Sequence, residues 1–244
     1  MFVIITIVGL IIGSFLNAII YRLHKGISFL KGRSFCPHCR HTLSAQDLIP
    51  LFSFIIQKGR CRYCRKKISW QYPLVELAAA LVLIVLYFNF GLSLEFFIYS
   101  LYSLFLIVIF VYDLKYYLVL DQVAIPAILL GFTGSLILEM SLTKLLIGGI
   151  IGLGFFLIQF IISRGKWIGG GDLRLGLMCG FMVGWPKIVP LVFITYISGA
   201  VVAIGLMIIK KKKWQDMVPL GIFLSFATLI VLLFGEEIIR FYLL

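Results

Sequence analysis

Eight apolar segments occupy most of the chain of 244 residues, and they limit its possible folds more than any other feature of the sequence. Each is close in length to the roughly 20 residues that a helix needs to cross a bilayer. Hydrophobic residues make up 62% of the chain and charged residues 13%, which is far from the composition of soluble proteins. The sequence therefore predicts an all-α polytopic membrane protein with about eight transmembrane helices. The predicted spans are 2–21, 74–90, 95–112, 122–140, 145–163, 172–188, 189–209 and 217–240.

The first span has no basic residues before its apolar run and no small-residue cleavage site after it, which predicts a retained helix and not a signal peptide. Eleven of the 22 basic residues lie in the segment 22–72. Short loops rich in Lys and Arg stay in the cytoplasm, so we predict an N-terminus outside. With eight spans the Lys210–Lys213 run is also cytoplasmic, and only Lys144, Lys187 and Arg240 are left outside.

The sixth span, 172–188, is the weakest, because charged residues at both ends leave a short apolar centre. Gly176, Gly180 and Gly184 recur along it at every fourth position. This small-xxx-small spacing lets helices approach closely in lipid, although glycine is common in membrane helices in general. We predict that this helix packs closely against a neighbour.

The net charge of +12 does not predict nucleic-acid binding, because the basic residues lie mainly in one loop and at the ends of spans. Membrane topology and anionic lipid headgroups explain this distribution. We therefore predict contact with membrane lipid and none with nucleic acid. No internal repeat is evident from the sequence.

The loop after the first span contains two Cys-x2-Cys pairs, Cys36 with Cys39 and Cys61 with Cys64, separated by 21 residues. This pattern is typical of zinc sites with four thiolate ligands. Disulfides are the alternative, but the loop is predicted to be cytoplasmic, where thiols stay reduced. We predict one structural zinc held by these four residues, with unmetallated or redox-active thiols as the remaining alternative. Cys179 stands alone in the sixth span and is predicted to be a small buried hydrophobe.

Five acidic residues lie near the inner ends of the spans: Glu76, Asp113, Asp121, Asp172 and Asp216. Of these, Asp113 closes the third span and Asp172 opens the sixth. Ionisable groups at membrane depth are costly and usually functional. The two spans between them carry the chain out and back, which predicts that both lie at the cytoplasmic face. Two neighbouring carboxylates do not both ionise easily, so one keeps a proton while the other acts as a base, as in aspartic proteases. Three glycines, Gly169, Gly170 and Gly171, precede Asp172 and would let a substrate backbone approach.

Taken singly, each aspartate also has a structural explanation. Asp172 would serve as a helix N-cap, and Asp113 as an interfacial anchor beside Lys115. The pair, the glycines and the even number of spans between the two together favour catalysis.

With these residues the sequence resembles the bacterial type IV prepilin peptidases, which are GxGD-type aspartic membrane proteases. The resemblance covers nearly the whole chain in six ordered blocks. It implies that Asp113 and Asp172 are the catalytic aspartates and that the four cysteines are the family's cysteine tetrad. The blocks are GSFLNAIIYRL (13–23), CPHCRHTLSAQDLIPLFSFI (36–55), GRCRYCRKKISWQYPLVEL (59–77), DLKYYLVLDQVAIP (113–126), GGGDLRL (169–175) and VPLGIFLSF (218–226).

Three positions depart from the family pattern. Val119-Leu120-Asp121 stands where Ile-Pro-Asp is usual, and Arg174 stands where Lys is usual. The late Pro-Phe-Gly-Pro block reads Pro219-Leu-Gly-Ile222. The last two differences bear on substrate fit more than on the pair of aspartates.

The resemblance implies cleavage of prepilin or pseudopilin substrates, after the glycine that ends a short basic leader, at the cytoplasmic face of the bacterial inner membrane. Many members then methylate the new N-terminus with S-adenosylmethionine. That cofactor is implied by the resemblance alone, since the sequence lacks a Rossmann-type glycine fingerprint. The predicted parts are a first transmembrane helix (1–21), a cytoplasmic zinc loop (22–73) and a transmembrane aspartic protease core (74–244).

Two alternatives remain at this point. A GxGD protease of the presenilin and signal-peptide-peptidase type also fits Tyr112-Asp113 and the glycines before Asp172, but it carries a late Pro-Ala-Leu element and lacks the cysteine loop. A proton-coupled transporter would use the same carboxylates as a relay. The acidic residues gather at one face, however, and are not strung across the bilayer.

Overall fold

The computed structural model describes residues 1–28, 31–209 and 218–243, so the Lys210–Lys213 run lies outside the described residues. The chain divides into two compact units, Met1–Leu92 and Ser93–Leu244. The boundary that the sequence predicts at residue 73 falls within the first of them.

Unit 1 consists of two long helices joined by the cysteine-containing loop. The helices are α1 (Phe2–Lys25), a 3-10 turn (Ala45–Leu48), the short α2 (Phe52–Ile56) and α3 (Gln71–Phe90). Two glycines let α1 and α3 approach to backbone contact. A Cβ added at Gly9 would lie 2.5 Å from Ala80 Cα, and one added at Gly13 would lie 2.5 Å from Glu76 Cα.

The described residues of unit 2 form a bundle of six helices. They are α4 (Leu94–Tyr116), α5 (Asp121–Ile137), α6 (Leu142–Ser163), α7 (Gly170–Val183), α8 (Ile188–Ile208) and α9 (Leu220–Leu243). The short α7 packs against α5, α6, α8 and α9. It therefore lies at the centre of this unit.

The eight long helices coincide with the eight predicted apolar segments, and the predicted all-α polytopic class is confirmed. Six of them, α1, α3, α4, α6, α8 and α9, are long and apolar enough to cross a membrane. The other two are shorter, at 17 residues for α5 and 14 for α7. That all eight cross the bilayer stays a prediction. Within the described residues the only β-structure is two isolated bridges in the loop of unit 1.

Glycines bring the backbones of α6 and α7 into direct contact. A Cβ added at Gly148 would lie 2.6 Å from the carbonyl oxygen of Gly180, and one at Gly152 would overlap the carbonyl of Gly176. The close packing predicted from the spacing of Gly176 and Gly180 is confirmed. Gly184 also takes part, since a Cβ at Gly148 would lie 2.7 Å from Gly184 Cα. It ends α7 with a positive φ of 67°, which glycine adopts without steric cost.

A buried polar network ties α4, α5 and α7 together. The Tyr102 hydroxyl donates to the carbonyl of Gly131 at 3.2 Å and lies 3.1 Å from Ser135 Oγ. Ser135 Oγ in turn donates to the carbonyl of Phe181 at 2.8 Å. In an apolar surrounding these bonds matter, because a buried polar group without a partner is strongly destabilising.

The α6–α7 contact generates a stability prediction with a control in the same helix. Gly152→Ala places a methyl group against the α7 backbone and should destabilise the protein by about 1–3 kcal/mol. Gly154→Ala meets nothing within 4 Å and should be neutral or stabilising, because alanine favours a helix by up to about 1 kcal/mol over glycine. Thermal unfolding of the detergent-purified variants measures both effects, and equal midpoints would contradict the contact.

Candidate active site and candidate metal centre

Asp113 lies in the last turn of α4 and is buried. The helix ends just beyond it, where Tyr117 is left-handed and its N–H donates to the carbonyl of Asp113 at 2.9 Å. The Asp113 carboxylate faces the first turn of α9, and the amides of Gly221 and Ile222 point towards it. Because a helix N-terminus carries a partial positive charge, α9 offers a favourable surrounding for a negative charge at Asp113.

Gly221 makes the approach of α9 to Asp113 possible. A Cβ at this position would lie 2.7 Å from Asp113 Oδ2. That oxygen is buried and forms no hydrogen bond of ordinary geometry within the described residues. Sequence reasoning assigned the block at 219–222 to substrate fit and missed its contact with Asp113. The glycine between a proline and an apolar run was the available signal.

Asp172 is the third residue of α7 and bonds back to the start of its own helix. The N–H of Gly169 donates to Asp172 Oδ2 at 2.9 Å, and the N–H of Asp172 donates to the carbonyl of Gly169 at 3.1 Å. The capping position is therefore occupied by Gly169, and Asp172 supports it from within the first turn. This arrangement uses Oδ2, and within the described part of the chain no hydrogen bond holds Oδ1.

Although the residues are 59 positions apart, the two carboxylates lie within range of each other's charge. The Asp113 carboxylate interacts electrostatically with that of Asp172. Asp172 also interacts electrostatically with Tyr196 of α8, whose hydroxyl donates to Gln159 Oε1 of α6 at 2.8 Å. Sequence reasoning did not single out this Tyr–Gln pair. The signal was two polar side chains within strongly apolar spans.

The three glycines before Asp172 differ in their surroundings. A Cβ on Gly171 would lie 2.8 Å from Val119 Cβ, so this glycine is needed for packing against the connection between α4 and α5. Gly169 and Gly170 are exposed, and a Cβ on Gly170 would meet nothing within 4 Å. Only these two leave an accessible stretch of backbone beside Asp172.

Arg174 forms an ion pair with Asp121, which joins the first turn of α7 to the start of α5. Both side chains are about half exposed, and exposed pairs contribute little free energy. The pair connects α7 to α5 at the end of unit 2 where Asp172 lies.

The four cysteines of the loop form a cluster able to hold a metal ion, as predicted. Their Sγ atoms all lie within 4.8 Å of one another, and those of Cys36 and Cys64 are 3.9 Å apart. A tetrahedral zinc site with Zn–S bonds of ~2.3 Å places sulfurs about 3.8 Å apart. All four residues are free thiols, so the geometry fits a four-thiolate site and not a pair of disulfides.

The two Cys-x2-Cys segments are the same structure built twice, 25 residues apart. The N–H of Cys36 donates to the carbonyl of His41, and that of Cys61 to the carbonyl of Lys66, both at 2.9 Å. A β-bridge closes each turn, from Phe35 to Thr42 and from Arg60 to Lys67. The expectation of no internal repeat is therefore wrong for this short motif, whose common signal is Cys-x2-Cys-Arg.

Backbone amides within the two turns point at the cysteine sulfurs. Burial alone would raise the pKa of the Cys36 thiol, but the amides of Cys39 and His38 outweigh it and lower that pKa to about 7. The amides of Cys64 and Tyr63 are likewise directed at Cys61, but there burial outweighs them and raises the pKa of the thiol. Such bonds favour the thiolate, which is the form that binds metal.

The Asp47 carboxylate connects the second cysteine turn to the 3-10 segment. The sequence did not predict this role of Asp47. Its carboxylate accepts hydrogen bonds from the amide and hydroxyl of Ser44 at 3.0 and 2.8 Å, from Gln57 at 3.1 Å and from the Tyr63 hydroxyl at 3.3 Å. Burial acts to raise the pKa of Asp47, but the bonds from Ser44 and Tyr63 and the charge of Arg62 hold it below its ordinary value. The Ser-x-x-Asp spacing resembles a capping box and was the available signal.

Comparison with known proteins covers both units. Residues 7–90 match the bacterial peptidase A24 N-terminal domain, and residues 100–204 match the type IV leader peptidase family. The chain is similar to proteins named prepilin leader peptidase/N-methyltransferase from Bacillus subtilis and Aeromonas hydrophila. Identity to the first is 31% over 97% of this chain and 96% of that protein. Identity to the second is 31% over 96% of this chain and 91% of that protein.

A third relative of the same name, from Stutzerimonas stutzeri, is 30% identical over 97% of this chain and 92% of its own length. No solved structure matches the chain. Near-complete coverage of these relatives, together with the two domain matches, leads to one assignment: the chain belongs to the type IV leader peptidase family.

Proposed function

We propose that this protein is an aspartic endopeptidase that cleaves the short basic leader of prepilin or pseudopilin substrates and then methylates the new N-terminus. The observation that carries the proposal is the pairing of Asp113 and Asp172 at one end of unit 2. Methylation is supported by the names of the relatives. S-adenosylmethionine would be the methyl donor, and no residue of the chain is assigned to it.

In the proposed mechanism one aspartate is ionised and the other protonated. The ionised carboxylate takes a proton from water while the water oxygen bonds to the carbonyl carbon of the scissile peptide. The protonated carboxyl gives its proton to the leaving nitrogen as the C–N bond breaks. The exposed backbone at Gly169 and Gly170 gives an extended substrate room to lie beside Asp172.

Neither alternative function is favoured. The chain matches proteins named prepilin leader peptidase/N-methyltransferase over nearly their whole length. Proteases of the presenilin type have no counterpart of the cysteine cluster. A transporter relay needs ionisable groups along a path through the bilayer, whereas Asp113 and Asp172 meet at the ends of their helices.

The proposed topology places the N-terminus outside and the catalytic end in the cytoplasm of a bacterial cell, with the enzyme in the inner membrane. It leaves three basic residues outside, and all three surround one carboxylate. Lys187 forms an ion pair with Glu236 at 2.8 Å, and Lys144 and Arg240 interact electrostatically with the same group.

The activity is tested with the purified full-length chain and a prepilin whose basic leader ends in glycine. We expect a new N-terminus directly after that glycine, and added S-adenosylmethionine should increase the product mass by one methyl group. Mass spectrometry of the product reads both outcomes. Folded enzyme that leaves prepilins intact would contradict the proposed cleavage, and a product that keeps a free amine would contradict methylation.

The same assay tests the catalytic pair. Asp113→Asn and Asp172→Asn should each abolish cleavage, because asparagine keeps the shape of aspartate but does not exchange the proton. Since the two carboxylates act as one unit, the double variant should be scarcely worse than either single variant.

Asp121→Asn is the matched control, because Asp121 lies at the same end of unit 2 but is exposed and paired with Arg174. It should keep substantial activity. Near-normal cleavage by a folded Asp113→Asn or Asp172→Asn enzyme would overturn the assignment of the pair.

We further propose that Cys36, Cys39, Cys61 and Cys64 bind one structural zinc, which would hold the two turns of the loop together. Elemental analysis of protein purified without chelator should find about one zinc per chain. Cys36→Ser and Cys61→Ser should lose it, while Cys179→Ser should retain it, because Cys179 is buried beside Thr228 in unit 2. Less than about a tenth of an equivalent in the unmodified protein would exclude a closed four-thiolate site.

A further inference from the structure

The loop of unit 1 exposes a compact set of large apolar side chains on α2. Phe52, Ile55 and Ile56 are 64%, 69% and 75% exposed. They share one side of the helix, because residues three and four positions apart face the same way. The intervening Ser53 and Phe54 are half-buried. Clustered apolar exposure of this kind marks an interaction surface.

Two contacts hold α2 beside the beginning of α3. The ring of Phe54 packs against that of Trp70 with centroids 5.0 Å apart, and Trp70 immediately precedes α3. The N–H of Leu51, just before α2, donates to Glu76 Oε2 at 2.9 Å. Glu76 lies five residues into α3, which at 1.5 Å per residue is about 7.5 Å along its axis.

The N-terminus of α2 therefore lies beside the second turn of α3. The helix α3 is long and apolar enough to cross a membrane. The exposed surface is also continuous with that helix. Trp70, Leu74 and Leu77 are exposed at helical spacing, so they form a lipid-facing stripe on α3 that begins at the ring contacting α2. Tryptophan is enriched where membrane meets water.

We propose that α2 is embedded in the bilayer leaflet that meets the beginning of α3, with Phe52, Ile55 and Ile56 in contact with lipid acyl chains. The segment then anchors the two cysteine turns at the membrane surface. The occupant of this surface is lipid, because its exposed side chains continue the lipid-facing stripe of α3. This inference does not depend on the catalytic activity of the protein.

The charges around α2 agree with a lipid partner. Exposed basic side chains follow it directly in the second cysteine turn; they are Lys58, Arg60, Arg62, Arg65, Lys66 and Lys67. Interfacial segments combine an apolar side in the acyl region with Lys and Arg at anionic headgroups. The loop of unit 1 has both parts within one short stretch of chain.

Photo-crosslinking of the full-length protein in vesicles of phosphatidylethanolamine and phosphatidylglycerol tests the proposal. Benzoylphenylalanine is introduced singly as Phe52→benzoylphenylalanine, Ile55→benzoylphenylalanine and Ile56→benzoylphenylalanine. Thr42→benzoylphenylalanine is the matched control, since Thr42 is uncharged and exposed at the end of the first cysteine turn. After irradiation, mass spectrometry identifies the molecule attached at each position.

We expect lipid adducts at the three α2 positions in about tenfold higher yield than at position 42. Three independent positions keep the test valid if one variant does not fold, as judged by size-exclusion chromatography. The proposal is overturned if the α2 positions link to another segment of the chain, to a second copy or to added prepilin in place of lipid. A lipid yield equal to that at position 42 also overturns it.

Discussion

Direct backbone contact between α6 and α7 is the interaction on which the proposed active site depends. Lipid offers no hydrophobic driving force between helices, so close van der Waals packing has to hold them together. Gly148 and Gly152 provide it by meeting Gly180 and Gly176 without intervening side chains. This contact lets the short α7 lie among four other helices, and its first turn carries Asp172 to Asp113.

Two helix ends then create the electrostatic setting of the two carboxylates. Asp172 accepts a hydrogen bond at the N-terminus of its own helix, and Asp113 faces the N-terminus of α9. Both helix ends carry partial positive charge. Two acids in a poorly hydrated site repel each other when both are ionised, and these helix ends offset part of that cost.

The loop of unit 1 meets a different constraint. A segment of this length has too little apolar material to form a hydrophobic core of its own, and such segments usually depend on a metal or another cross-link. The four clustered thiols would provide that link between two copies of one turn by binding the proposed zinc. Asp47 connects the second turn to the chain between them. If α2 lies in lipid, the membrane supplies the remaining stabilisation.

The sequence by itself determined the features that depend on residues close together in the chain, namely the helices and the two cysteine turns. Apolar runs predict helices because a backbone in lipid must satisfy its own hydrogen bonds, and all eight runs are helical. Cys-x2-Cys pairs predict a metal cluster because a tight turn places both sulfurs on one side, and the four Sγ atoms do converge.

Only the tertiary structure decided which distant groups meet. The contact of Gly221 with Asp113, the pair of Tyr196 and Gln159, and the bond from Leu51 to Glu76 each join residues from separate elements. No local pattern records such a contact, because it depends on how helices pack and not on the conformation of either segment alone. For the same reason the spacing before Asp172 did not distinguish Gly171, which packs against Val119, from the exposed Gly169 and Gly170.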